Sequence, residues 1–206
     1  GDSLITGYFS ETVSFGNTTL TSAGASDGFV TKLDANGNIL WAKKFGGTGS
    51  DSAYDVKTYA DGSSIISGWF RNSVLFGDTT LSSSGDSDGF VTKLDTNGNV
   101  LWAKEFGGTG TDTVYDISPT EDGSLISGFF EDSVQFGDIT LTSSGGIDSF
   151  FTRLDANGNV LWAKQFGGSA NDGGHDIQVL SDGSSIISGI FRDSVNFGGT
   201  TLTSAG

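Results

Sequence analysis

The chain has 206 residues, of which 35% are hydrophobic, so it is large enough and apolar enough to fill the core of one folded domain. Its formal net charge of −15 would repel a phosphate backbone or an anionic bilayer, which excludes nucleic acid as a partner. No run of apolar residues approaches the length of about 18 that a membrane-spanning helix needs. Cys and Met are absent, which excludes disulfides and thiol chemistry, while 33 glycines against one proline favour tight turns between short strands over helices.

A period of 60 or 61 residues runs through the whole chain and is marked by two short motifs, Trp-Ala-Lys and Phe-Gly. Trp-Ala-Lys begins at Trp41, Trp102 and Trp162, and Phe-Gly begins at Phe15, Phe76, Phe136 and Phe197. Residues 1–47, 62–108 and 123–168 are near-complete copies of one pattern, and residues 183–206 repeat its first half. Because the chain opens inside a repeat, we expect it to have been cut from a longer protein.

Each period predicts two β-hairpins. One spans residues 90–106, where Asn-Gly in the turn at 95–99 supplies the positive φ angles that hairpin turns require. The other spans residues 115–130, around a turn at 121–123. Residues 133–141 lie after the second hairpin and predict a short extra β segment at the rim of the unit. The period therefore supplies four main strands and one small excursion.

An isolated four-stranded sheet that is apolar on both faces needs neighbours on both sides. The sequence therefore predicts an all-β fold, a β-propeller built from four-stranded antiparallel blades of about 60 residues. A β-solenoid is the alternative, although solenoid coils are usually shorter and lack consecutive hairpins. We assign residues 1–206 to a single repeat array, with a partial blade at 1–46, blades at 47–106 and 107–166, and a partial blade at 167–206.

The repeat pattern resembles a known family. Each period reads FVTKLDANGNVLWAKxFGGxGxDxxYDI followed by DGSxIISGxF, and this is similar to the bacterial SBBP-type β-propeller repeat, with its Lys-Leu-Asp, Gly-Asn, large aromatic and Gly-Gly-x-Gly positions. The resemblance covers essentially every repeat. It implies an extracellular or bacterial cell-surface protein, often part of a longer multi-repeat chain, with no catalytic residues established. The extra SVxFGxTTLTSxG segment departs from the family pattern and leaves the number of blades open.

Ring closure sets the expected partners. About 3.4 periods fall short of the roughly 4 to 8 blades of a closed propeller. We therefore expect neighbouring repeats, or further copies of the chain, to close the ring. An end strand without such a partner would leave its backbone hydrogen-bonding groups unpaired.

Three aspartates are candidate cation ligands. Asp55, Asp116 and Asp176 recur at the beginning of what we take to be each innermost strand, so a closed ring would bring several carboxylates near its central channel. Carboxylate oxygens are the ligands that calcium prefers, which makes these residues the candidate metal site. The alternative is that each aspartate accepts local backbone hydrogen bonds at a corner of the blade. No other cofactor is expected.

Two further motifs resemble calcium loops. Residues 46–51 and 107–112 match the start of a GGxGxD nonapeptide, but that motif binds calcium when it repeats every nine residues, and here it occurs once per period. The third copy, at 167–172, departs from the pattern. The turn at 34–38 has its glycine at the fourth position, whereas an EF-hand loop needs it at the sixth. We interpret all of these segments as connecting loops and Asx-stabilised turns.

The periodic tryptophans Trp41, Trp102 and Trp162 could form a sugar-stacking platform. Periodic aromatic residues in propellers more often pack between blades, and we favour packing.

Catalysis lacks support in the sequence. Residues 24–28 and 85–89 spell the GxSxG nucleophile motif, which needs a strand turning into a helix and a histidine base. The single histidine, His175, occupies the position of Tyr54 and Tyr115 in other repeats and cannot serve serines elsewhere in the array. We therefore predict no catalytic residues. A hydrolase would depend on His175 as the one candidate.

The leading functional hypothesis is a non-enzymatic, rigid scaffold or interaction module of a bacterial secreted or surface protein. The alternative is a lectin-like propeller that binds glycans or a surface protein through loops on one face, with calcium as a candidate cofactor. Loop divergence between repeats would favour binding. The loops vary little, which favours the scaffold.

Overall fold

A computed structural model describes residues 1–205, and these residues form 19 β-strands joined by turns, with no helix. The prediction of an all-β fold is confirmed. Since the described part of the chain lacks helices, it also lacks any helix long and apolar enough to cross a membrane.

The strands fall into four successive repeats. The first repeat contains β1 (Ser3–Phe9), β2 (Thr12–Phe15), β3 (Thr18–Thr21), β4 (Asp27–Leu33) and β5 (Ile39–Gly47). The second contains β6 (Asp51–Thr58), β7 (Ser64–Phe70), β8 (Ser73–Phe76), β9 (Thr79–Ser82), β10 (Asp88–Leu94) and β11 (Val100–Gly108). The third contains β12 (Thr113–Thr120), β13 (Gly123–Phe136), β14 (Ile139–Asp155) and β15 (Val160–Phe166). The fourth contains β16 (Gly173–Val179), β17 (Ser185–Ile190), β18 (Ser194–Phe197) and β19 (Thr200–Thr203).

Main strands that follow one another pair side by side and antiparallel. In the second repeat the order is β6, β7, β10 and β11, and in the third it is β12, β13, β14 and β15. The first repeat supplies β1, β4 and β5, and the fourth supplies β16 and β17. The hairpin turns use the predicted chemistry, since Asp95 Oδ1 accepts the backbone N–H groups of Asn97 and Asn99, both at 2.8 Å, and Gly98 has a φ of 78°.

The extra segment of each repeat is a small hairpin, and in the second and third repeats this hairpin bonds to the preceding repeat. β8 pairs with β9, and β8 also pairs with the end of β5 through Gly46 and Gly47. A Cβ atom on Gly47 would lie 1.7 Å from the carbonyl oxygen of Ser73, so this close approach needs glycine. Gly108 meets the carbonyl oxygen of Ser133 in the same way, also at 1.7 Å, where β11 pairs with the second half of β13.

The apolar core lies between consecutive sheets. One cluster joins Val30 and Phe45 of the first repeat to Ile66 and Phe90 of the second, and another joins residues of the second repeat to those of the third. A smaller cluster contains Ile177 of the fourth repeat. Each sheet is therefore stabilised by burying its faces against its neighbours in the chain.

Three phenylalanines meet at the junction of the first and second repeats. Phe45 stacks on Phe76 with ring centroids 5.1 Å apart, and Phe90 packs against both at 5.3 and 4.9 Å. Aromatic pairs at these distances add to the stabilisation that area burial provides. At the next junction, Phe136 lies 5.4 Å from Phe106 and 4.8 Å from Phe150, so the arrangement repeats with the period.

Two of the periodic tryptophans, Trp41 and Trp102, connect their repeat to the hairpin turn of the next repeat. Trp41 Nε1 donates a hydrogen bond to the Thr96 carbonyl oxygen at 3.3 Å, and Trp102 Nε1 donates to the Ala156 carbonyl oxygen at 3.1 Å. A Cβ atom on Gly158 would lie 2.9 Å from the Trp102 ring, so the turn glycine lets the indole approach. These tryptophans pack between repeats.

Replacement of Trp102 by Phe is expected to lower the free energy of unfolding by about 1 kcal/mol, because Phe keeps most of the ring contact and loses the N–H donor. Trp162→Phe is the matched control, since Trp162 is 41% exposed and its indole N–H donates no hydrogen bond within residues 1–205. We expect a smaller loss for the control. Urea unfolding followed by circular dichroism measures both variants, and equal losses would contradict the inter-repeat role.

Candidate functional site

The predicted cation ligands lie on the first strand of three repeats. Asp55 is in β6, Asp116 in β12 and Asp176 in β16, each at or beside a break in strand register. A β-bulge of this kind changes the direction of a side chain relative to the regular strand. In Asp55 and Asp116 the carboxylate is directed towards the neighbouring repeat.

Asp55 and Asp116 form one cluster with Lys57. The Lys57 Nζ atom lies 2.6 Å from Asp55 Oδ2 and 3.3 Å from Asp116 Oδ1, although Asp55 and Asp116 are 61 residues apart in the sequence. Burial, together with the neighbouring Asp55 carboxylate, raises the pKa of Asp116 to about 6. Burial opposes ionisation of Asp55 as well, but the hydrogen bond with Asp116 and the contact with Lys57 lower its pKa. Of the two carboxyl groups, that of Asp116 therefore has the higher pKa.

Both aspartates also bond to the backbone of the following repeat. Asp55 Oδ2 accepts the N–H of Ile117 at 3.1 Å, and Asp116 Oδ2 accepts the N–H of Ile177 at 2.7 Å. The alternative interpretation expected backbone hydrogen bonds within one blade corner; the bonds observed run between repeats. Each aspartate connects the first strand of its repeat to the first strand of the next.

Asp176 lies apart from this cluster. It is exposed, and its Oδ2 atom is 3.4 Å from Ser188 Oγ in the same repeat. The structure thus brings together two of the three predicted ligands. Within residues 1–205, no three His, Cys, Asp or Glu side chains are grouped so as to hold a metal ion. A cation at Asp55 and Asp116 stays a prediction.

A second set of carboxylates is buried more deeply at the repeat junctions, and sequence reasoning did not single it out as a site. These aspartates are at most 3% exposed and occur twice per junction. They are Asp27 with Asp51, Asp88 with Asp112, and Asp148 with Asp172. Their recurrence at the repeat period was the available signal. Acidic residues are expected at the surface, however, so the period alone could not indicate their burial.

The aspartate of each GGxGxD segment closes its own loop. Asp112 Oδ2 accepts the N–H of Gly108 at 2.8 Å, and its Oδ1 accepts the N–H of Glu131 at 3.3 Å. Burial raises the pKa of Asp112 to about 7, and the nearby carboxylates of Asp88 and Glu131 add to the shift. Burial likewise raises the pKa of Asp51 to about 6. Backbone donors thus occupy the oxygens that a calcium loop would present to the ion.

His175 belongs to an aromatic stack. The rings of Tyr54 and Tyr115 are 5.1 Å apart, and the His175 ring lies 5.6 Å from Tyr115. Trp69 Nε1 donates a hydrogen bond to the Tyr54 hydroxyl at 2.8 Å. The stack presents aromatic edges at the surface, since Tyr54 is 44% exposed.

Residues 24–28 lead into strand β4, so this GxSxG segment lacks the strand-to-helix turn of a nucleophile elbow.

The chain is similar to two curated proteins over part of their lengths, and no known family profile matches it. It is 30% identical over 174 residues to the regulatory protein FlaEY of Caulobacter vibrioides, an alignment that covers 81% of this chain and 18% of that protein. It is 28% identical over 120 residues to an uncharacterized WD repeat-containing protein of Acanthamoeba polyphaga mimivirus, covering 49% of this chain and 9% of that protein. The chain therefore spans less than a fifth of either relative.

Proposed function

We propose that the chain is a non-enzymatic repeat module that acts as a rigid scaffold in a bacterial secreted or cell-surface protein. The observation that carries the proposal is the set of connections between neighbouring repeats. Apolar clusters, tryptophan-to-turn hydrogen bonds, strand pairing through Gly46 and Gly47, and the Asp55–Ile117 bond all link one sheet to the next. Repeat proteins that are stabilised through their neighbours in this way form stiff arrays.

The architecture that we propose is a β-propeller with one four-stranded antiparallel blade per repeat. The first strands of successive repeats, β6, β12 and β16, contact one another, as strands around a common axis would. The similarity to a WD repeat-containing protein supports this arrangement. Neighbouring repeats or further copies of the chain would close the ring. The secreted or surface location rests on the resemblance to SBBP-type repeats.

A second candidate function is lectin-like binding of a glycan or a surface protein. The exposed edge of the Tyr54–Tyr115–His175 stack favours it, because aromatic side chains at a surface provide contacts for sugar rings. In this function calcium would bind at Asp55 and Asp116, and Lys57 would have to move away from the carboxylates. The scaffold function needs no cofactor.

A glycan array probed with the labelled 206-residue protein, with calcium and with EDTA, separates the two functions. For the scaffold we expect no glycan bound above background and a melting temperature that EDTA changes little. Calcium-dependent binding that Tyr54→Ala abolishes, and that Leu75→Ala on an exposed part of β8 leaves unchanged, would contradict the scaffold and support the lectin. If chelation lowers the melting temperature of the unaltered protein by many degrees but leaves that of Asp116→Asn unchanged, a structural cation is instead assigned to Asp55 and Asp116.

A further inference from the structure

One position of the outer strand carries a different side chain in each of the first three repeats, although its surroundings are the same. It is Lys44 in β5, Glu105 in β11 and Gln165 in β15. In each repeat this residue pairs with the phenylalanine that follows a buried aspartate by two residues. These aspartates are Asp27, Asp88 and Asp148. Since side chains alternate between the faces of a strand, the variable side chain and the aspartate lie on the same face of the sheet.

In the first repeat a lysine ammonium group compensates the buried carboxylate. Lys44 Nζ lies 2.7 Å from Asp27 Oδ2, and Asp27 is 0% exposed. A Cβ atom on Gly46 would lie 2.3 Å from Asp27 Cγ, so glycine leaves room for the carboxyl group beside Lys44. The buried charge is therefore paired within its own sheet.

In the third repeat an amide group takes the same place. Gln165 Nε2 donates to the Thr142 carbonyl oxygen at 2.7 Å and to Asp148 Oδ2 at 3.4 Å. An N–H group thus lies between a main-chain carbonyl oxygen and the carboxylate. Asp148 Oδ1 accepts no hydrogen bond from the described residues, so the amide compensates this aspartate only in part.

In the second repeat the residue is an acid, which has no donor to offer when it is ionised. Glu105 Oε2 instead accepts the N–H of Ser82 at 3.2 Å. Asp88 is 1% exposed, and its Oδ2 atom accepts the N–H of Ser84 at 3.1 Å, whereas its Oδ1 atom accepts no hydrogen bond within residues 1–205. A buried oxygen without a donor, beside a second carboxylate, needs a positively charged partner.

A main-chain oxygen faces the same place. Ser82 in the second repeat is equivalent to Thr142 in the third, at the same position of the small hairpin. The N–H and C=O groups of a strand residue point towards the same edge, so the Ser82 carbonyl oxygen faces Glu105 as that of Thr142 faces Gln165. Asp88, Glu105 and the Ser82 carbonyl therefore supply the oxygen ligands that hard divalent cations take.

The charges at the two junctions differ in the same sense. At the first junction the Lys44 ammonium group also lies close enough to Asp51 to lower its pKa, against the effect of burial. At the second junction burial raises the pKa of Asp112, and the carboxylates of Asp88 and Glu131 add to the shift. Among the described residues, neither Asp88 nor Asp112 forms a salt bridge. The second junction thus gathers acidic groups without the cation that the first one contains.

We propose that Asp88 and Glu105 bind a calcium ion, in the place that the Lys44 ammonium group takes in the first repeat. Glu105 is exposed and lines a groove of about 650 Å³, which gives the ion a path from solvent. Only two side-chain carboxylates take part, so we expect a Kd on the order of 10⁻⁴ to 10⁻³ M. Protein purified without calcium then holds little of the ion, and chelation alone changes its melting temperature little. The inference does not depend on whether the chain is a scaffold or a lectin.

The test is a calcium titration of the 206-residue protein at about pH 8, where protons compete little with the metal. Isothermal titration calorimetry measures the binding, and circular dichroism measures the melting temperature. We expect one saturable site, and a melting temperature that rises by about 3–6 °C when calcium exceeds its Kd tenfold. Magnesium should raise it less, because it dehydrates reluctantly and demands octahedral geometry.

The other repeats supply the variants. Glu105→Lys introduces the residue of the first repeat and should raise the melting temperature without calcium and abolish the response to calcium. Glu105→Gln introduces the residue of the third repeat and should weaken calcium binding at least tenfold. Both should fold, because Glu105 is exposed. Asp86→Lys and Asp86→Asn, at an exposed position of the loop before β10, are the matched controls and should keep the response.

Three results would overturn the proposal. The first is a calcium response of equal size in the unaltered protein and in Glu105→Lys. The second is a response that Asp116→Asn abolishes and Glu105→Lys keeps, which would assign the ion to Asp55 and Asp116. The third is a protein that ignores calcium at about pH 8 and melts at a higher temperature at lower pH, with Glu105→Lys removing that pH dependence. A proton would then compensate Asp88 in place of a metal ion.

Discussion

Replacement of Phe90 by Ala is expected to lower the free energy of unfolding by about 3–5 kcal/mol, among the largest effects of any single truncation in the chain. The Phe90 ring is 0% exposed and packs against Phe45 and Phe76 at the junction of two repeats. Removal of the ring leaves a cavity between two sheets that cannot close without shifting one of them. Urea unfolding followed by tryptophan fluorescence measures the loss.

Phe29→Ala is the matched control for this prediction. Phe29 occupies the same position in the first repeat, where it is only half-buried and contacts Phe9 and Phe15. Less apolar area returns to water when it is truncated, so we expect a loss of less than about half that of Phe90→Ala. If the two variants lose equal stability, the junctions between repeats do not provide the main stabilisation of the sheets.

The hairpins were predictable because their determinants are local. The turn at 95–99 contains its own acceptor, Asp95, and its own positive-φ residue, Gly98, so the sequence of five residues indicates the turn. The extra β segment was predictable for the same reason. It alternates apolar and polar residues over a few positions and forms the strands β8 and β9 in the second repeat.

Contacts between repeats were not predictable in the same way, because they depend on how the sheets lie against each other. Lys57 bridges Asp55 and Asp116 across two repeats, and nothing near it in the sequence indicates the second partner. The aspartate of the GGxGxD segment illustrates a different limit. The motif suggested ion binding or a connecting loop, and neither interpretation indicated that Asp112 is 0% exposed and accepts backbone hydrogen bonds.

The buried carboxylates also explain the composition. Six of the 25 acidic residues are buried inside the junctions, where they accept hydrogen bonds from backbone N–H groups of the loops. These six therefore do not belong to the acidic surface that keeps the protein in solution. Such an arrangement costs stability when the carboxylates are ionised, because burial disfavours charge. The array is therefore expected to respond to pH through its interior as well as through its surface.

The free energy of unfolding is expected to fall as the pH rises from about 5 to about 8, by on the order of 2–4 kcal/mol from Asp112 alone. Burial raises the pKa of Asp112 to about 7 in the folded protein, above its ordinary value, so the folded state binds a proton that the unfolded state has released. The stabilisation by that proton is complete below the unfolded pKa and is lost as the pH passes through about 7. Asp51 and Asp116, each with a pKa raised to about 6, add to the fall at lower pH.

Asp112→Asn tests this assignment through the slope of stability against pH. The amide is neutral at every pH and can accept only one of the two hydrogen bonds from Gly108 and Glu131. We therefore expect a less stable protein at about pH 5, with a flatter profile between about pH 6 and 8. Asp78→Asn, at an exposed position in the turn between β8 and β9, is the matched control and should keep the slope of the unaltered chain. Urea unfolding across the pH series decides the matter, because a slope unchanged by Asp112→Asn would mean that the proton is bound elsewhere.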